Sequence, residues 1–318
     1  MTAAFRGIFA IPVTPFDSSG AVDHGALADV VEFTLDCGAH GLVMPVNVSE
    51  FFTLDDDERR AVVTTTVRVN RGRVPLVASV TGASTAQAAR FAAHAADSGA
   101  DAVIAMPPYV KRGDWPELVE YFTAIAAAGL PVFVQNAEGP AGTPMSAAQL
   151  SELAATIDGV SWFKEETVRS SQVISDLLAR GGAHVSGVMG GKGSRFLLDE
   201  YPRGICGTMP GCEFTDLHVA LWNALEGDQP AIAAEIYRFL LPLVGMEDQY
   251  GGAAFCKEVL RRRGVLTSTA VREPGSPRLD REASVLLDQF LAAATTWMVP
   301  SKPRASPDAA APTVTAEA

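Results

Sequence analysis

Lys164 closes the apolar run Val160-Ser161-Trp162-Phe163 and is followed by Glu165 and Glu166. The chain has five lysines, Lys111, Lys164, Lys192, Lys257 and Lys302, and most sit beside Gly, Pro, Arg or Glu, as solvated lysines do. A lysine that ends a buried strand is different. Its ammonium loses hydration, and that lowers its pKa. A free lysine titrates near ~10.4 and is a poor nucleophile at neutral pH; one brought to ~7–8 offers a usable fraction of amine. Such an amine condenses with a ketone to give a Schiff base. The same position also suits a lysine that snorkels to solvent.

The elements around Lys164 decide between the two. Short β-rich runs alternate with longer Ala-rich stretches at helical spacing. Strands are expected at 7–11, 41–44, 74–80, 101–106, 131–134, 160–163, 184–188 and 204–209. Helices are expected at 23–37, 54–70, from Ser84 to near Gly99, at 116–128, from Ser146, at 170–179 and at 194–199. The acidic cluster Asp55-Asp56-Asp57-Glu58 suits a helix N-terminus. Ser146 and Gln149 have the capping-box spacing. Eight βα units in series predict a (β/α)8 TIM barrel rather than an open doubly wound sheet. No GxGxxG follows the first strand, which argues against a dinucleotide site. Residues 1–212 form the expected barrel. Residues 213–299 supply more helices than one closing helix requires, and so predict a C-terminal helical extension. Residues 300–318 are Pro/Ala-rich with almost no large apolar side chains, and read as a disordered tail.

Composition narrows the function. The 318 residues are 48% hydrophobic, enough for a sizeable core. The net charge of −12 argues against nucleic acid and against anionic membrane surfaces. It leaves a small anionic substrate open, since a pocket can carry a local field of the other sign. Cys37, Cys206, Cys212 and Cys256 show no metal spacing and suggest reduced thiols. His24, His40, His94, His184 and His218 show neither metal nor triad spacing. No apolar run reaches ~18 residues, and the N-terminus lacks a signal-peptide core. A cytoplasmic protein without cofactor or metal is expected.

In a barrel of this kind the C-terminal strand ends form the active site. That rule selects Asn47, Val48, Ser49 and Glu50 after strand two, Tyr109 after strand four, and Gln135, Asn136 and Glu138 after strand five. It selects Lys164 on strand six, Gly190-Gly191-Lys192-Gly193 after strand seven, and Thr208 on strand eight. It also directs the Lys164 amine into the mouth. Several candidates have structural alternatives. Asn47 and Ser49 suit helix capping as well as carboxylate binding. Tyr109 suits a packed loop aromatic, and Gln135 a backbone-bonded amide. The glycine cluster resembles a phosphate cradle only weakly. Glu165 and Glu166 read as a solvated edge or ion-pair partners.

These residues resemble the dihydrodipicolinate synthase/N-acetylneuraminate lyase family of class I aldolases, over nearly the whole chain up to about Leu291. The matching motifs are Gly7-Ile8-Phe9-Ala10 through Thr14-Pro15-Phe16, Asn47-Val48-Ser49-Glu50 with Leu54 and Glu58-Arg59, Pro107-Pro108-Tyr109, Gln135-Asn136 and Lys164-Glu165. The resemblance implies a Schiff-base lysine at Lys164, a 2-oxo acid substrate and a homotetramer built from dimers.

Departures from the family pattern carry information too. The usual Gly-Thr-Thr-Gly-Glu loop is here Val46-Asn47-Val48-Ser49-Glu50. Gln135 stands where the catalytic tyrosine is expected, and Val110 where a second tyrosine crosses the dimer interface. Ala137-Glu138-Gly139-Pro140-Ala141-Gly142 has no counterpart of the synthase's carboxylate-binding arginine. Glutamine exchanges hydrogen bonds but shuttles no protons. Synthase and sialic acid lyase activities are therefore not expected.

The Asn-x-Ser-Glu loop, Gln135 and Phe163-Lys164-x-Glu166-Thr167 are similar to the branch that dehydrates 2-keto-3-deoxy sugar acids such as L-2-keto-3-deoxyarabonate. The loop Met189-Gly190-Gly191-Lys192 departs from that branch. The expected function is a Schiff-base lyase that dehydrates such an acid. Catalysis would fall to Lys164, Tyr109 and Gln135, with Tyr109, Glu138 or a water moving the protons. Substrate binding would fall to Asn47, Val48, Ser49, Lys192 and Thr208. Retro-aldol cleavage to pyruvate and an aldehyde is one alternative. Binding of a 2-oxo acid without turnover is another.

Overall fold

The computed structural model describes residues 5–138, 143–272, 274 and 277–300. Its strands are β1 Gly7–Ala10, β2 Gly41–Met44, β3 Leu76–Ser79, β4 Ala102–Ala105, β5 Val132–Ala137, β6 Val160–Glu166, β7 Gly187–Gly190 and β8 Gly207–Thr208. All pair in parallel in chain order, and β8 pairs with β1, closing the barrel. Between strands run α1 His24–Asp36, α2 Asp56–Asn70, α3 Thr85–Ser98, α4 Trp115–Ala126, α5 Ala147–Thr156, α6 Ser170–Gly181 and α7 Leu197–Glu200. After β8 come α8 Thr215–Glu226, α9 Pro230–Gln249, α10 Gly252–Arg262 and α11 Arg281–Ala294.

The strands are covered on both faces, so they read as apolar runs without polar alternation. Their side chains still alternate. Phe9, Val43, Val77, Phe133, Trp162 and Met189 fill the barrel interior. Ile8, Val103, Val134, Phe163 and Val188 face the helices. Phe5 sits edge-on against Phe133 and Trp162, with ring centres 5.3 and 5.1 Å away. Full burial of side chains of this size stabilises by about 1.5–3 kcal/mol each.

Helix starts follow local chemistry. Reciprocal capping boxes join Asp55 with Glu58, Asp114 with Glu117, and Ser146 with Gln149. Of the last four helices, α8 packs on β1 and so completes the outer ring. Helix α9 packs on α8, α11 on α9, and α10 on the turn after β2. No helix among the described residues is long and apolar enough to cross a membrane.

Three strand expectations need correction. The sequence places Gln135 and Asn136 after β5 and ends β6 at Phe163, yet both strands run on, pairing Gln135 with Lys164 and Ala137 with Glu166. Polar side chains hide this extension, because strand ends at a barrel mouth no longer need apolar residues. Strand β7 begins at Gly187 rather than His184, because Gly182 (φ 50°) ends α6 in a single 3-10 turn through His184. Strand β8 shrinks to two residues. The expected tail falls, from Ser301 onward, outside the described residues.

Candidate active site

The two-residue period of a strand builds the site. Trp162 points into the barrel, so Lys164 and Glu166 follow it on the same face, while Phe163 and Glu165 turn toward the helices. The Lys164 side chain is only 4% exposed, and its Nζ lies 3.1 Å from Glu166 Oε1. Gln135, in register beside Lys164, donates from Nε2 to Glu166 Oε2 at 2.6 Å. The Lys192 amide donates to Glu166 Oε1 at 3.2 Å. Burial by itself pushes the Glu166 carboxyl up. The Lys164 ammonium, the Gln135 amide and the Lys192 amide outweigh that and hold it below the usual carboxylate range.

Glu165 has a different environment. It accepts from Asn136 Nδ2 at 2.7 Å, from the Thr167 amide at 2.7 Å and from the Thr167 hydroxyl. Burial still raises its pKa. Asn136 also bonds both the carbonyl and the amide of Met145, at 2.9 and 2.8 Å. Glu165 and Asn136 therefore clamp the loop leaving β5 rather than face the mouth.

Above Lys164 opens a cavity of about 560 Å³. Its wall includes Asn47, Val48, Glu138, Lys164, Glu166, Lys192 and Glu247, with Gly251 to Ala253 at the start of α10. Of the sequence candidates, Lys164, Asn47, Val48 and Lys192 meet there, and Gln135 reaches it through Glu166. The Ser49 hydroxyl instead donates to the Pro12 carbonyl at 2.7 Å, while Thr14 donates to the Ser49 carbonyl. Ser49 thus fastens the turn after β2 to the end of β1. Tyr109 packs edge-on against Phe51, with ring centres 5.4 Å apart. Thr208 is fully buried, 3.2 Å from the Ser194 hydroxyl. None of these three lines the cavity. Glu138 does, and accepts from the Val168 amide at 2.9 Å. Residues 139–142, where the synthase-type arginine is missing from the sequence, lie outside the described residues.

Glu50 is structural as well. It is fully buried, pairs with Lys257 Nζ at 2.5 Å and accepts from the Arg272 amide at 2.8 Å. Lys257 also donates to the Ala270 carbonyl at 2.7 Å. Arg272 reaches Glu58 with two bonds of 2.7 Å and the Gly20 carbonyl at 2.6 Å. These contacts tie the turn after β2 to α10 and to the segment following it, which brings α10 to the cavity rim.

The glycine run after β7 does not cradle phosphate. A Cβ on Gly191 would lie 2.2 Å from Glu166 Oε1, one on Gly190 2.2 Å from Glu200 Oε2, and one on Gly193 2.9 Å from Glu247 Oε2. Bare backbone here makes room for three carboxyl groups, which take the space a phosphate would need against these glycines. Lys192, Gly193 and Ser194 all take positive φ, at 49°, 62° and 62°. Left-handed Lys and Ser are strained, and the Glu166 bond to the Lys192 amide helps to hold them.

Sequence reasoning reads Glu166 as a solvated edge or an ion-pair partner, and the pair it makes is with Lys164 itself. It expects no role at the cavity for Glu166 and does not single out Glu247. The signal for Glu166 was available: two residues beyond an inward lysine, a strand residue also points inward. Glu247 lies on α9, far from any barrel strand, and local pattern says nothing about it.

Glu200, beneath Gly190, accepts from the Ser170 hydroxyl at 2.7 Å, while its Oε2 has no partner among the described residues. Burial, aided by Glu165, raises its pKa to about 7. The folded state therefore holds this proton more tightly than the unfolded chain does. Its contribution to stability is complete below the unfolded value near 4.5 and is lost as pH rises through 7. The loss approaches about 3 kcal/mol. Glu200→Gln is expected to raise Tm at pH 8 by roughly 5 °C or more and to change it little at pH 4.5. Thermal unfolding across that range checks both ends.

Comparison with known proteins decides the family. The model of the dihydrodipicolinate synthetase family matches residues 4–293. The chain belongs to this family. It is accordingly an enzyme of the lyase, aldolase-type kind. An L-2-keto-3-deoxyarabonate dehydratase from Azospirillum brasilense is 31% identical over 277 residues, covering 86% of this chain and 89% of that protein. A 4-hydroxy-tetrahydrodipicolinate synthase from Rhizobium meliloti (strain 1021) is 29% identical over 90% of this chain and 97% of that one. Among solved structures, a prophage protein of the dihydrodipicolinic acid synthase family, YagE from E. coli K12 in complex with pyruvate, superposes with a TM-score of 0.84. It is 25% identical and covers 92% of this chain and 99% of its own.

Proposed function

We propose that this member of the family is a Schiff-base dehydratase of 2-keto-3-deoxy sugar acids. The observation that carries the reading is the buried pair Lys164–Glu166, an amine with a carboxylate 3.1 Å away at the floor of a cavity. The Lys164 ammonium passes a proton to Glu166. The amine so freed attacks the C2 ketone, and the C2 oxygen leaves as water with that proton, to give an iminium and restore the Glu166 carboxylate. The iminium acidifies C3. Glu166 takes the C3 proton, giving an enamine. The enamine expels the C4 hydroxyl, which departs as water with the proton that Glu166 holds. A C5 proton then moves to C3, the C4–C5 enol so formed becomes the aldehyde, and hydrolysis of the iminium frees Lys164. Every carbon is kept.

The lining supports the substrate class. A 2-oxo acid brings a carboxylate, and the cavity offers Lys192, for which no ion-pair partner is found among the described residues. The amides of Asn47 and Val48 also precede the first bond inside their turn, from the Ser49 amide to Val46. Gln135 supports dehydration over the tyrosine-relayed chemistry of the synthase, since an amide positions Glu166 without carrying protons. The likeness to the Azospirillum brasilense dehydratase points the same way. Self-association belongs to this reading as a family trait; Val110, 68% exposed, lacks the ring with which the tyrosine of the family pattern crosses the dimer interface, and so weakens that contact.

Product analysis tests it. Incubation with 2-keto-3-deoxypentonates is expected to yield a semialdehyde with all five carbons. Release of pyruvate would replace dehydration by retro-aldol cleavage, and trapping of a covalent adduct without multiple turnover would leave a binding protein.

A further inference from the structure

Glu247 of α9 and Glu213, just after β8, stand where no function has yet been assigned. Glu247 lines the cavity that holds Lys164 and Lys192. Glu213 lies directly behind it and is 1% exposed. One oxygen of each carboxyl and the Cys256 sulfur all fall within 4.8 Å of one another. Neither Glu213 oxygen has a hydrogen-bond donor in good geometry among the described residues, although the Cys256 thiol and Glu213's own amide lie close by. A buried carboxyl without donors costs stability.

The surrounding backbone is shaped for both groups. A Cβ on Gly193 would come within 2.9 Å of Glu247 Oε2, and one on Gly211 within 2.5 Å of Glu213 Oε2. Both glycines line the cavity. Glu166 and Glu247 therefore flank the strained loop Gly191-Lys192-Gly193 from its two ends. The amine and Glu166 mark the reacting end of the cavity, and Glu247 marks another part of its wall.

We propose that Glu247, backed by Glu213, forms a subsite that recognises the hydroxyl groups on the uncharged tail of the keto acid. The inference rests on the Schiff-base reading of Lys164 and adds the chemistry of the tail. Glu138, Glu166 and Glu247 all line the cavity, so a second carboxylate on the substrate would meet acidic groups, whereas hydroxyls can both donate and accept. Burial and the neighbouring Glu213 charge push the Glu247 carboxyl well up, and Glu213 is raised by burial too. Two such close carboxyls retain a proton between them, so the pair presents a donor as well as acceptors.

The test uses borohydride trapping of pyruvate and of a 2-keto-3-deoxypentonate in competition, with the two adducts separated by intact mass. Wild type, Glu247→Gln and Glu247→Ala are compared. In Glu247→Ala the preference for the tail-bearing acid over pyruvate is expected to fall about 10- to 100-fold, while pyruvate still forms its adduct. Loss of one hydrogen-bonding partner, here a carboxyl, from a substrate hydroxyl has an effect of this order. Glu247→Gln keeps a donor and an acceptor, and is expected to retain most of the preference. An unchanged preference in Glu247→Ala overturns the subsite, as does an equal loss of both adducts. A stoichiometric divalent metal in the wild-type protein that is lost in Glu213→Gln overturns it as well. Failure of the dehydratase reading looks different: the pentonate adduct keeps its water in wild type, yet the preference still responds to position 247. Absence of any adduct in wild type overturns both.

Discussion

Lys164→Ala is expected to abolish the borohydride-trapped adduct with pyruvate and to lower kcat on the order of 10³-fold or more. The expectation is specific to this amine. Lys164 is buried at the cavity floor, on the same strand face as Glu166. Lys257 is committed to Glu50 and the Ala270 carbonyl, with its ammonium 4.3 Å from the centre of the Phe16 ring. Lys192 is the competing amine, since it lines the same cavity. Lys192→Ala is therefore the paired control: it should weaken binding of the 2-oxo acid through loss of a carboxylate partner while leaving the adduct on Lys164. Intact mass and peptide mapping after reduction distinguish the two sites. An adduct that persists in Lys164→Ala removes the mechanism, whatever happens to turnover.

The barrel was readable because eight apolar runs alternate with eight helical stretches, and parallel strands covered on both faces must look that way. The mouth was readable only in part. Strand-end position selected Lys164, Asn47, Val48 and Lys192, which the fold brings to one cavity. The same rule also selected Ser49 and Thr208, whose hydroxyls are engaged with Pro12 and Ser194. Position on a strand does not reveal which short polar side chain the backbone will claim. Tyr109 went to the Phe51 ring because a loop aromatic gains more from apolar contact than from water. Glu165 and Glu166 look alike in sequence and differ in space by one step of the pleat. One holds a loop, and the other touches the amine. Glu50 matched a family motif, yet its partners Lys257 and Arg272 lie more than 200 residues away. Glu213 and Glu247 come together only when α9 folds back along the barrel, a long-range event that no local periodicity encodes.

Glu166→Gln separates amine chemistry from proton transfer. The substitution keeps the size of the side chain and its ability to bond Gln135, and removes the base. Imine formation with pyruvate should survive, though more slowly, because the Lys164 amine remains and can pass its proton to water. The C3 proton then has no acceptor, and kcat is expected to fall by about 10²–10⁴, the usual contribution of a positioned acid–base group. With a 2-keto-3-deoxy acid, reduction should trap an adduct that still carries its C4 hydroxyl, where wild type gives dehydrated species. Gln135→Ala, which removes only the 2.6 Å bond that orients Glu166, should cost less, on the order of tenfold. The pH profile adds an independent reading. Despite its burial, Glu166 is held below the usual carboxylate range by Lys164 and Gln135, so its basic form persists into acid. The acidic limb of kcat/KM should therefore lie below the ordinary glutamate value of about 4.3, and Gln135→Ala should move that limb upward. A Glu166→Gln enzyme that turns over within a fewfold of wild type would transfer the proton step to Glu138 or to water, and leave the 3.1 Å contact with Lys164 as a clamp on the amine alone.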